Sequence, residues 1–218
     1  MNRREFTTLA AGAGSLLGLG GFAPLALAQG GAPVEGQSYL RLSQRQPTLD
    51  PKKIEVLEFF WYGCPHCYAF EPTIDAWQKK LPADVNFRRV PVNFREVPYV
   101  AHQKLFYAIE TMGLIEQLHR KVFYAIHQDH NPLDKPETMA EFMAKNGVDK
   151  TKFLEVYNSF SVQTKARQAA SLSAGYKIDG TPAMGVNGQY YTSGSLAGSN
   201  ERSLVVVEYL IAQSRKGG

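Results

Sequence analysis

The only two cysteines of the chain, Cys64 and Cys67, stand three residues apart in FWYGCPHCYAF, residues 60–70, with Pro65 and His66 between them. Three chemistries are open to such a pair. An inert bridge would close a very small loop and remove little entropy from the unfolded chain, so stapling is a poor use of it. A structural zinc site takes four ligands, as a rule with a second Cys or His pair at close spacing. There is no second CxxC. His127 and His130 have a ligand-like spacing, which keeps zinc open, but they and His102 and His119 fall in a stretch that reads as helical, where surface histidines are the plainer account. The third chemistry is redox. A cysteine at the start of a helix meets unpaired backbone N–H groups and the positive end of the helix dipole, which favour its thiolate. Pro65 suits a first helical turn, which needs no N–H from it. His66 brings a positive charge or a hydrogen-bond donor beside the sulfur. Cys67, one turn further in, is the less exposed partner. Stabilising the thiolate favours the dithiol over the disulfide, so such a pair withdraws electrons from its partners.

The elements that must hold the pair are legible around it. IEVLEFFWY, residues 54–62, is an apolar run with β-branched and aromatic residues, and predicts a buried central strand. The CPHC segment then opens a helix whose apolar face carries Cys67, Phe70, Ile74 and Trp77 and which ends near Leu81 and Pro82. VNFRRVPVNF, residues 85–94, predicts a second strand, giving a βαβ unit with a parallel pair. Tyr39 to Leu42 reads as a short edge strand. Residues 102–113, 114–127 and 136–147 read as helices, followed by two more for which Asp149 and Ser161 are the expected N-caps. AMGV and QYYT are strands joined across Asn187 and Gly188, a hairpin signal. A last helix over 200–213 carries Leu204, Val207 and Ile211. The order βαβ, helical block, ββα implies one α/β domain split by a helical insert.

The bulk composition fits that reading. The chain has 218 residues, 44% hydrophobic, 20% charged, with a formal net charge of +4. Lys and Arg are scattered, with no polybasic run or phosphate-cradling glycine loop, so nucleic acid is not an expected partner. Residues 1–28 form a basic start with Arg3 and Arg4, a weakly apolar middle and Ala26-Leu27-Ala28, the pattern of a secretory signal cleaved after Ala28. The paired arginines before Phe6 resemble a twin-arginine export signal. A general secretory signal or an uncleaved anchor are the alternatives. Residues 29–38 read as a flexible tail, and the mature protein is expected outside the cytoplasm, where disulfides persist.

LEFFWYGCPHCYAFEP, Leu57 to Pro72, closely resembles the active-site segment of DsbA-type thiol:disulfide interchange proteins. GTPAMGVNGQY resembles that family's cis-proline strand and hairpin, LPADVNFRRVPVNF its second-strand region, and the helical block falls where the family carries its insert. The resemblance implies a thioredoxin-like fold, over 39–98 and 175–218, with the insert at 99–174. It implies that Cys64 is the exposed redox cysteine, Cys67 its buried partner and His66 a stabiliser of the Cys64 thiolate. Pro182 becomes the cis-proline facing the disulfide, leaving the Thr181 backbone free to pair with an extended substrate segment. Thr181 stands where the family commonly has valine, and its hydroxyl near the sulfurs would shift the potential. Strand alternation puts Glu58 on the face of Phe60 and Tyr62, beneath the active site, where burial raises a carboxyl pKa and suits it to relay a proton. The family has an acid there, and a lysine at the place of Arg89. Trp61, Tyr62 and Met184 would line an apolar rim for unfolded polypeptide or belong to the core; their types fit both.

The expected activity is that of a periplasmic dithiol oxidase, a monomer without a cofactor. Its expected partners are exported proteins with free cysteines and a membrane DsbB-like, quinone-linked oxidase that recharges it. A reductase or isomerase of the same fold is the nearest competing enzyme. A chaperone-like binding module with an idle CxxC is the competitor from another class.

Overall fold

The computed structural model describes residues 31–216; the leader expected over 1–28 lies outside them. The elements are β1 (Leu40–Arg41), β2 (Ile54–Phe60), α1 (Pro65–Gln78), β3 (Val85–Pro91), a π-helical turn (Glu96–Val100), then α2 (Ala101–Thr111), α3 (Ile115–His127), α4 (Pro136–Lys145), α5 (Lys150–Tyr157) and α6 (Phe160–Gly175). After these come β4 (Ala183–Val186), β5 (Tyr190–Ser193), α7 (Gly194–Ala197) and α8 (Asn200–Lys216). The five strands form one sheet in the order β1-β5-β4-β2-β3. Only β2 and β3 run parallel, joined through α1, while β4 lies antiparallel to β2 and β5 antiparallel to β4. This is a thioredoxin-like sheet with a helical insert between β3 and β4.

Strand β2 is buried on both faces, which is why it reads as a continuous apolar run rather than an alternating one. Val56 faces a cluster with Phe70 and Ile74 of α1 and Leu204, Val207 and Ile211 of α8. Leu57 and Phe59 face the other way, into a larger cluster shared with α2, α3 and α6. Both are fully buried, each contributing roughly 1.5 to 3 kcal/mol of transfer free energy. The insert therefore has no separate core. Its helices close one face of the sheet, and that places α3 against the active-site loop.

Local signals explain most boundaries. Asp149 caps α5 by accepting from the Lys152 N–H at 2.8 Å. Asn187 and Gly188 both take positive φ, 51° and 67°, as a two-residue turn demands, and the turn delivers β5. One cap differs from expectation. Ser159, not Ser161, starts α6, its hydroxyl accepting from the Val162 N–H at 3.3 Å. The chain breaks at Asn158 and Ser159, so Phe160 and Ser161 already belong to the helix. The central strand also stops at Phe60, two residues early. The Cys64 N–H donates to the Trp61 carbonyl at 2.9 Å, and that turn swings the chain from strand into α1.

Candidate active site

Cys64 is the N-cap residue of α1 and Pro65 its first residue, so the helix begins inside the CxxC motif. Cys64 retains 7% exposure, whereas Cys67 has none. The two sulfurs are unbridged in this structure. The asymmetry is chemical as well as steric. A hydrogen bond from the Cys67 thiol holds the Cys64 pKa down to about 5, helped by Thr181 and the backbone N–H groups of Cys67 and His66, against burial. Burial pushes the Cys67 thiol well above its usual range, reinforced by Cys64 and by Glu58 behind it. His66 contributes to the Cys64 thiolate through its backbone N–H, while its ring is exposed.

The β2–β4 register brings the second half of the site to the first. Phe59 pairs with Ala183, so Pro182 and Thr181 reach past the end of β2 to the CxxC turn. The Thr181–Pro182 bond is cis, and the Cys64 thiol donates to the Thr181 carbonyl at 3.3 Å. Beside this contact lies an open groove of about 590 Å³, bordered by His66, Thr181, Pro182, Asp179, Leu40 and Leu196. Gly63 is where the turn needs a residue without a side chain. A Cβ there would run into the Trp61 indole, which packs over the turn and stacks on Tyr99 at 4.2 Å.

Beneath the cysteines sits a charged cluster. Glu58 is 1% exposed and accepts from Arg89 Nε at 3.1 Å. Arg89 also donates through Nη2 to Glu71 Oε1 at 2.8 Å. Burial raises both carboxyl pKa values, with Arg89 opposing the rise. One guanidinium thus serves two buried carboxylates, and the neighbourhood holds a proton readily near neutral pH.

Sequence patterns did not place Glu71, His119 or His127 in the site. Glu71 had a visible signal, since it lies one helical turn after Cys67, inside the apolar stripe of α1. His102 and His119 are buried, 2% and 3% exposed, not surface histidines. Tyr62 and Met184 are core side chains, 0% and 1% exposed, and do not form a rim. Tyr62 turns inward because its hydroxyl finds a buried partner on α3, and Met184 because β4 is covered by α8. His127 is engaged by the Tyr62 carbonyl, and among the described residues no group of three His, Cys, Asp or Glu side chains is placed to hold a metal ion.

The family pattern described as a DSBA-like thioredoxin domain matches residues 55–203, which include the CxxC turn, the Arg89 cluster and the Thr181–Pro182 segment. The chain belongs to the DsbA family. It is 47% identical over 180 residues to the thiol:disulfide interchange protein DsbA of Pseudomonas aeruginosa, covering 83% of this chain and 85% of that protein. It is 46% identical over 199 residues to the DsbA of Burkholderia cepacia, covering 91% and 93%. The crystal structure of Pseudomonas aeruginosa DsbA superposes with a TM-score of 0.81 at 46% identity, over 84% of this chain and 95% of that one. As a DsbA-family member the chain is a thiol:disulfide oxidoreductase with a thioredoxin-like fold.

Proposed function

We propose that this DsbA-family chain is a periplasmic dithiol oxidase that introduces disulfides into exported proteins through Cys64 and Cys67. The observation that carries the direction is the pronounced asymmetry of the two thiols, one held as thiolate near pKa 5 and one kept protonated by burial. A substrate thiolate attacks Cys64 Sγ of the disulfide form. The S–S bond breaks, Cys67 leaves and takes up a proton, and a mixed disulfide remains on Cys64. A second substrate thiolate then attacks the substrate sulfur of that bond, and Cys64 leaves as a thiolate. The substrate has lost two electrons and gained a disulfide; the protein has become the dithiol. A low leaving-group pKa speeds this second step. Glu58 lies behind Cys67 and serves as its proton partner. The groove beside Thr181 and Pro182 receives the substrate as an extended segment, and the Thr181 backbone pairs with it. Re-oxidation falls to a membrane DsbB-like, quinone-linked partner.

The test is the reduction potential in glutathione buffers together with the Cys64 pKa. A couple clearly more oxidising than thioredoxin's, about −270 mV, is expected. A potential near that value with a Cys64 pKa near eight would overturn the oxidase reading. Thr181 is expected to contribute to the oxidising strength through its hydroxyl. Thr181→Val should raise the Cys64 pKa and make the couple roughly 30 mV less oxidising, the worth of one charge-assisted hydrogen bond of about 1.5 kcal/mol. Unchanged values in the variant would remove that role.

Residues 1–28 are proposed to be the leader that places the protein in the periplasm, with Arg3 and Arg4 routing it through twin-arginine export. Replacing both arginines by lysine should leave the unprocessed chain in the cytoplasm; normal processing would point to general secretion. No described helix is long and apolar enough to cross a membrane. The thioredoxin-like part is proposed to span 39–98 and 175–218, and the insert 99–174.

A further inference from the structure

Helix α3 of the insert reaches the active-site loop through two histidines. His119 Nδ1 lies 2.8 Å from the Tyr62 hydroxyl, and His127 Nε2 lies 2.9 Å from the Tyr62 backbone carbonyl. One residue is held at both its side-chain tip and its main chain, two positions before Cys64. A carbonyl only accepts, so His127 carries hydrogen on Nε2 and donates it. Its ring also stacks on Tyr68, centroids 4.8 Å apart and planes 5° from parallel. The Tyr68 N–H in turn donates to the Cys64 carbonyl at 3.1 Å. His127 thus touches the chain on both sides of the nucleophilic cysteine.

His119 is tied further inward. Its Nε2 faces Glu71 Oε2 at 3.4 Å without making a hydrogen bond to it, and neither buried atom has a hydrogen-bond partner among the described residues. The Tyr62 hydroxyl and His119 Nδ1 share one hydrogen bond, and a hydrogen on Nε2, on the side of the Glu71 carboxyl, leaves Nδ1 free to accept it. Burial, then the Arg89 guanidinium, hold His119 well below the usual histidine range, which agrees with a neutral ring. A polar chain therefore runs from the Tyr62 hydroxyl through His119, Glu71 and Arg89 to Glu58 behind Cys67.

We propose that His119 and His127 are positioning residues of the thiol–disulfide reaction, clamping Tyr62 from α3 so that the CxxC turn presents Cys64 to the donors that hold its thiolate. The proposal rests on the reading of Cys64 as the nucleophile. A buried polar pair has a second use, pinning the insert to the sheet, and the experiment must separate the two. The Cys64 pKa, from thiolate absorbance, and the exchange equilibrium with glutathione are measured for His127→Ala, His119→Phe and Tyr62→Phe, alongside unfolding by urea. Each variant is expected to raise the Cys64 pKa and to shift the equilibrium about fivefold toward a weaker oxidant, the equivalent of one ordinary hydrogen bond. His127→Gln, which keeps a donor at the Nε position, is expected to recover most of the shift. The effects of His119→Phe and Tyr62→Phe should be non-additive in the double variant, because they break the same bond. Lower urea midpoints with unchanged Cys64 pKa and equilibrium would overturn the proposal and leave the histidines a purely structural role. Tyr62→Phe, which loses one oxygen, decides the matter if His119→Phe does not fold. A wild-type potential near thioredoxin's would sink the oxidase reading separately, since the clamp is judged from differences between variant and wild type.

Discussion

Cys67→Ala is expected to turn the protein into a covalent trap. Its Cys64 still attacks disulfides, but no neighbouring thiol remains to resolve the product. Two other features decide how long the adduct lives. Cys64 keeps a solvent-exposed edge, so an external thiol can reach it, and its low pKa makes it a good leaving group. Attack on a substrate disulfide joins one substrate sulfur to Cys64 and frees the other as a thiolate, so the adduct should persist where that freed cysteine is held away and turn over where it can reach back. Loss of the Cys67 hydrogen bond, the largest influence on the Cys64 thiol, should also raise the Cys64 pKa above about 5. Disulfide-forming turnover should fall by more than roughly 10³-fold, as expected when one member of a covalent-catalysis pair is removed. Non-reducing gels show the trap as bands that vanish with reductant. Cys64→Ser should form no such bands. Adducts of equal yield from Cys64→Ser would assign the nucleophile to Cys67 and reverse the roles of the two cysteines.

Arg89→Leu is expected to cost about 3 to 5 kcal/mol of stability at a pH where Glu58 and Glu71 are ionised, because it leaves two buried carboxylates without their shared cation. The size follows from burial: Arg89 is 8% exposed, Glu58 1% and Glu71 3%. No water reaches these groups freely to replace the lost charge. The pH dependence has a definite sign. A carboxyl whose folded pKa lies above its unfolded value, about 4.3, binds its proton more tightly in the native state. Its unfavourable contribution is absent below the unfolded pKa and grows as pH rises toward the folded pKa. Glu58 and Glu71 are already raised in the intact protein, and removing Arg89 raises both further. The deficit of the variant should thus be small near about pH 4, where both carboxyls are protonated with or without Arg89, and should open above about pH 7 to 8, where they ionise in the intact protein but not in the variant, becoming large by about pH 9. Urea unfolding at about pH 4 and about pH 9 checks it. An equal loss at both would mean that Arg89 acts through packing alone. Arg89→Lys should recover part of the stability, since it restores the charge without the fork that reaches both acids.

Much of the site's frame was legible in the order of residues, for identifiable reasons. The CxxC pair, the strand before it and the helix after it are contiguous in sequence, and each follows from short-range rules. Pro65 starts a helix, Asp149 caps one, and Asn187 with Gly188 turns a hairpin. Glu58 stood out because an acid inside an apolar strand has few other places to be. The misplaced cap at Ser161 shows the limit of such rules, as Ser159 and Ser161 are equally good caps by type, and only the packing of Phe153, Tyr157 and Val162 into one core decides between them. Tyr62 and Met184 stayed open between rim and core, and His102 and His119 read as surface residues though they are buried, for a related reason. Aromatic, thioether and imidazole groups are at home in a core or on a surface, and their neighbours come from distant segments.

By itself the sequence determined the reactive pair, the βαβ frame that carries it and the helical insert, because these depend on patterns within one or two elements. The tertiary structure alone decided which charges meet. Glu71 on α1, Arg89 on β3 and Glu58 on β2 converge only once the parallel pair is covered by its helix. Thr181 meets Cys64 across 117 residues because β4 takes its place beside β2. His119 and His127 meet Tyr62 only because α3 closes the same end of the sheet. Electrostatic and hydrogen-bond energies depend on distance in space, and separation along the chain does not reveal it.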